Sequence, residues 1–109
     1  MLIFVSYTLK DGVLTIEKLK RIKKIISIYT TCYIDILDND GENKQEYLIN
    51  KLEKSRLMIV LRTPKINESE WVNKEYEIAK KNNIPIVEFV PNKINKLLRN
   101  IMIRRVLSL

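Results

Sequence analysis

Four short apolar runs alternate with longer amphipathic stretches, and this alternation limits the fold more than any other feature of the chain. LIFVSY (2–7), CYIDIL (32–37), RLMIVLR (56–62) and the segment 84–90 of NNIPIVEFV read as strands, apolar enough to be buried on both faces. Helical spacing fills the intervals. Thr15 is placed to cap a helix from Ile16 to about Tyr29, with Leu19, Ile22 and Ile26 inward and Lys20, Lys23 and Lys24 outward. Asn43 is placed to cap a helix over 44–54 with Tyr47, Leu48 and Leu52 inward, and Ser69 a helix over 70–82. A last helix after Pro91 and Asn92 would carry Ile94, Leu97, Leu98, Ile101 and Met102 on one face. Lys10-Asp11-Gly12 and DNDG (38–41) are turns, and TPKINE (63–68) is a loop.

The order βαβαβαβα predicts an α/β, flavodoxin-like fold: a doubly wound parallel sheet in strand order 2-1-3-4, with helices on both faces. A chain of 109 residues suits one domain spanning 1–109. Ligands of such sheets bind beyond the carboxyl ends of the strands, at the switch point between the first and third. Ser6, Tyr7, the 8–12 loop, Arg62, Thr63 and the loop leading to Trp71 are expected there.

Composition removes several chemistries. The chain has no histidine, so it holds no Ser-His-Asp or Cys-His site, and the commonest metal ligand is missing; no metal site is expected. Its single cysteine, Cys32, can form no intrachain disulfide, and its neighbours Tyr33 and Ile34 suggest a buried strand thiol. MLIFVSY is too short for a signal peptide, and no run approaches a membrane span, so a cytoplasmic location is expected. The net charge is +7, unevenly spread: residues 1–29 carry six Lys/Arg against two acids, and 91–109 carry five against none. Helical interleaving of these cations with apolar residues reads as the wet faces of two helices. Few aromatics lie among them, so a nucleic-acid partner is not expected.

The segment SEWVNKEYEIAKK (69–81) holds the most pointed signal. With Val72 at zero and about 100° per residue, Tyr76 falls near +40°, Ala79 near −20°, Trp71 near −100° and Ile78 near −120°. These form one apolar arc, and Glu75 falls inside it, at about −60°. A carboxylate on the buried face of a helix costs free energy unless it is paired or put to use. Pairing with Lys10, Arg62 or a backbone amide would make Glu75 structural; an open cleft beside it would make it functional. Burial should raise its pKa and a nearby cation should lower it.

Several segments together resemble a TIR (Toll/interleukin-1 receptor) domain in its bacterial TIR-like form. FVSY (4–7), followed by Asp11, resembles the first-strand F-[IV]-S-Y motif; YID (33–35) resembles the end of the second strand; KLEKSRLMIVLRTP (51–64) resembles the third-strand stretch. SEWVNKE (69–75) resembles the S-x-W-[VC]-x-x-E helix start, and NNIPIV (82–87) the strand after it. The resemblance runs from residue 4 to about 90 and implies the same sheet order, shortened by about one βα unit at the C-terminal edge. It implies an NAD-consuming enzyme, a glycohydrolase or cyclase, with NAD as substrate and no separate cofactor. The catalytic role falls on Glu75, and Phe4, Ser6, Tyr7, Lys10, Asp11, Arg62 and Trp71 are the substrate-binding candidates. TIR-type homo- or hetero-association and a place in bacterial antiviral signalling are further implications.

Two departures keep other readings open. Many active relatives have Arg or Lys directly after the Ser-Tyr pair, whereas Thr8 and Leu9 stand here; and LDNDG replaces the usual Pro-Gly turn after the second strand. A non-catalytic TIR-like interaction module is one alternative. A nucleoside deoxyribosyltransferase-like enzyme, acting on a related glycosidic bond through a Glu, is another. A receiver domain would need an acidic pair after the first strand and an Asp ending the third; Ser6-Tyr7 and Arg62-Thr63 stand there instead. Asp35 and Asp38 suit turn capping.

Overall fold

The computed structural model describes residues 1–91. The strands β1 (Leu2–Ser6), β2 (Thr31–Ile34), β3 (Leu57–Leu61) and β4 (Ile86–Phe89) form one all-parallel sheet in the order β2-β1-β3-β4. The expected topology is therefore observed. Register places Phe4 between Tyr33 and Met58, and Ser6 opposite Val60.

The helices are α1 (Ile16–Ser27), a single helical turn α2 (Asp35–Asp38), α3 (Lys44–Glu53) and α4 (Glu70–Lys81). Thr15, Asn43 and Ser69 cap α1, α3 and α4, each side chain accepting a backbone N–H three residues on. Period-2 alternation splits the sheet into two faces. Ile3, Val5, Ile59 and Leu61 pack with Leu19, Ile22 and Ile26 of α1. Phe4, Met58 and Val60 pack with Leu48 and Leu52 of α3 and with Val72 and Ala79 of α4. Helices thus cover both faces, and each face has its own apolar core.

Two local expectations change. The second strand does not run through 32–37: it ends at Ile34, and Asp35–Asp38 is helical. The two carboxylates turn the chain there. Asp38 accepts the Ile34 N–H at 2.8 Å and pairs with Lys23 at 2.8 Å, while Asp35 accepts the Tyr33 hydroxyl and the Asn39 amide. Within the 63–68 loop, Ile66–Glu68 forms a 3₁₀ turn that buries Ile66. The proposed last helix, with Ile94, Leu97, Leu98, Ile101 and Met102, lies outside the described residues. Cys32 is buried at the β2 edge, and burial pushes its thiol up to about 11. No helix among the described residues is long and apolar enough to cross a membrane.

Candidate active site

Beyond the carboxyl ends of β1 and β2 a cleft of about 290 Å³ opens between the β1–α1 loop, α2, α3 and α4. Tyr7, Thr8 and Leu9 come from the first loop, Asp35 from α2, Lys44, Gln45 and Leu48 from α3, and Trp71 and Glu75 from the start of α4. The chain places these residues together by topology: β1 is central, and its exit lies between the helices that follow β2 and β3.

Glu75 is 6% exposed and sits on the buried face of α4 with Val72 and Ala79, as the helical arc predicts. Its Oε1 accepts the Ser6 hydroxyl at 2.7 Å. The ion pairs among the described residues are Lys23–Asp38 and Arg62–Glu88, so no salt bridge there neutralises Glu75. Burial pushes its carboxyl up to about 7; the Ser6 hydrogen bond pulls back, and the charge of Asp35 adds to the upward push. Near neutral pH this carboxyl is balanced between its two protonation states.

Tyr7 is half-buried, with its hydroxyl accepting the Ile36 N–H at 2.9 Å. Burial pushes the phenol up to about 12, so it stays protonated and keeps its own proton for a further acceptor. Trp71 stands one helical turn before Glu75 on the cleft side, 36% exposed, with the Lys74 ammonium 5.2 Å from its ring centroid. It is a wall of the cleft and not a core residue, although its arc position also suits the core.

The remaining candidates are placed elsewhere. Phe4 is fully buried beneath the cleft, its ring centroid 5.4 Å from that of Tyr33, because its strand position points into the core. Ser6 does not line the cleft but stands behind Glu75. Lys10 reaches away to the Glu68 carbonyl at 3.4 Å. Asp11 accepts the N–H groups of Lys65 at 2.9 Å and Val13 at 3.2 Å, fastening the β1–α1 loop to the β3–α4 loop. Its carboxyl is held below the usual range, first of all by the Lys65 N–H. Arg62 pairs with Glu88 at the β4 side, 3.3 Å away. Neither Lys10 nor Arg62 neutralises Glu75. Six cleft residues were not singled out as substrate-binding from sequence: Thr8, Leu9, Asp35, Lys44, Gln45 and Leu48. Of these, Asp35 reads as a turn cap. For Thr8 and Leu9 the signal was available, since they lie in the 8–12 loop expected at the switch point.

A parallel 2-1-3-4 sheet with F-V-S-Y closing β1 and W-x-x-x-E opening the helix after β3 defines a TIR-like domain. A family model described as "Thoeris protein ThsB, TIR-like domain" matches residues 4–96, and the chain belongs to that family. Comparison with curated proteins found no match.

Proposed function

We propose that this domain cleaves the nicotinamide–ribose bond of NAD, as a glycohydrolase or cyclase, with Glu75 as the catalytic carboxylate, and that it serves bacterial antiviral signalling. The observation that carries this reading is a buried carboxylate, outside any described ion pair, in the wall of a cleft at the switch point of the sheet. Breaking the bond sends its electron pair to the pyridinium nitrogen, which leaves as neutral nicotinamide, and puts positive charge on the ribose. That departure needs no general acid, so the absence of histidine is no obstacle. A carboxylate fixed beside the ribose in a partly dry cleft stabilises the developing cation far better than it would in water.

The protonation balance of Glu75 fits this task. In the free protein its carboxyl is balanced near neutrality. A cationic nicotinamide ring brought beside it favours the ionised form. Substrate would thereby charge the group its own reaction requires. Tyr7, Leu9, Leu48 and Trp71 supply apolar and aromatic walls for a base or ring, and Lys44 supplies a cation at the α3 end of the cleft. TIR-type association with a second copy or another TIR protein is part of the proposal.

Thr8, buried where many active TIR domains have Arg or Lys, favours a second reading: a TIR-like module that binds partners without catalysis. Incubation with NAD at high protein concentration, with free nicotinamide quantified, separates the two. Release supports cleavage, and no release supports the module. Release of base from a deoxyribonucleoside but not from NAD would move the activity to the deoxyribosyltransferase class.

A further inference from the structure

We propose that Ser6 is a positioning residue for Glu75: its hydroxyl selects which carboxylate oxygen faces the cleft and favours the ionised form that cleavage requires. The inference rests on the reading of Glu75 given above and assigns the means by which that residue is set.

Ser6 closes the central strand β1, flanked on both sides by β2 and β3. Strand alternation turns it to the same sheet face as Phe4, against α4. It is 1% exposed, and its Oγ lies 2.7 Å from Glu75 Oε1 across 69 residues of sequence. A serine hydroxyl has one proton to donate. At this distance, sealed from water, that proton is committed to Oε1, which leaves Oε2 for whatever enters the cleft. A carboxylate accepts more strongly when ionised, so a donated hydrogen bond favours the charged form. Burial and the nearby Asp35 both act in the opposite direction. The other titratable residues lining the cleft are Tyr7, whose phenol stays protonated, and Lys44, on α3. Ser6 is therefore the group in direct contact with Glu75 that offsets the penalty of burying it. A serine on an interior strand also gives the carboxylate a rigid reference, which a loop residue would not.

A simple tether between sheet and helix would use the same bond but would not need to set proton affinity. The carbon-13 shift of the Glu75 side-chain carboxyl, assigned by its disappearance in Glu75→Gln, reads that affinity without NAD. We expect Ser6→Ala to raise the titration midpoint by about one pH unit, a tenfold change in proton affinity. Ser6→Cys, a near-isosteric weaker donor, should move it in the same direction by less. At neutral pH, a midpoint moving from about 7 to about 8 cuts the ionised fraction of the free protein from about a half to about a tenth, so kcat/KM for nicotinamide release should fall about fivefold in Ser6→Ala. The midpoint of the pH–rate profile should move with the carboxyl midpoint. Folded variants with an unmoved midpoint overturn the proposal, whether or not activity falls. If Ser6→Ala fails to fold, Ser6→Cys decides alone. An inactive wild type counts against the cleavage reading, while the titration still decides what Ser6 does to Glu75.

Discussion

The Tyr7 hydroxyl accepts the backbone N–H of Ile36 at 2.9 Å, joining the exit of the central strand to the helical turn after the edge strand. The bond holds the α2 wall of the cleft against the β1–α1 loop. Because it is exposed, water can replace it, and Tyr7→Phe should cost no more than about 1 kcal/mol in urea denaturation. The effect should appear in binding instead: a several-fold rise in KM for NAD with the fold intact, read by steady-state kinetics.

Asp11 is expected to act on loop order and not on substrate. It accepts the N–H groups of Lys65 and Val13, so Asp11→Ala frees both amides. Hydrogen exchange at Lys65 should quicken while exchange in β3 stays slow. The carboxyl is held below its usual range, so its contribution is present above the unfolded value and is lost as pH falls through the folded one. Wild-type exchange at Lys65, corrected for its intrinsic pH dependence, should therefore loosen on acidification, and in Asp11→Ala it should not.

Glu75 should have the opposite linkage. Its folded-state carboxyl titrates at about 7, against 4.5 for the free side chain. Between those values the folded protein holds a proton that the unfolded chain releases. The associated stability is complete below about 4.5 and is lost as pH rises through about 7, up to about 3 kcal/mol. Glu75→Gln removes this dependence. Denaturation at pH 4.5 and pH 8 should show the variant gaining on the wild type by that order as pH rises.

Trp71 is the chain's single tryptophan and lines the cleft, so its fluorescence reports on occupancy. Nicotinamide mononucleotide should change its emission saturably. With the residue 36% exposed and the rest covered, Trp71→Ala should cost about 1–3 kcal/mol of stability and weaken NAD turnover by more than that loss explains. A large loss of stability with unchanged turnover would return Trp71 to the core.

Much of the frame was legible because it rests on local rules. Strand order followed from apolar runs separated by helical spacing, and Thr15, Asn43 and Ser69 announced their helices by their capping side chains. The arc position of Glu75 foretold a buried carboxylate. What escaped depends on contacts between distant segments. Ile36 and Leu37 read as strand continuation, but Lys23 of α1 on the Asp38 carboxylate and the Tyr7 hydroxyl on the Ile36 N–H hold this segment as a helical turn. Lys44 and Gln45 reach the cleft because α3 packs beside α4, which no spacing within either segment encodes. Arg62 looked well placed at the end of β3, but Glu88 on the neighbouring strand takes it.

Whether cleavage depends on the Glu75 carboxylate is decided by nicotinamide release from NAD in wild type and Glu75→Gln. The amide is nearly isosteric but carries no charge to balance the ribosyl cation. Release by the wild type is expected, with a loss of at least about a hundredfold in the variant, on the scale of a deleted electrostatic stabiliser, and circular dichroism unchanged. Equal release by a folded Glu75→Gln would contradict that dependence.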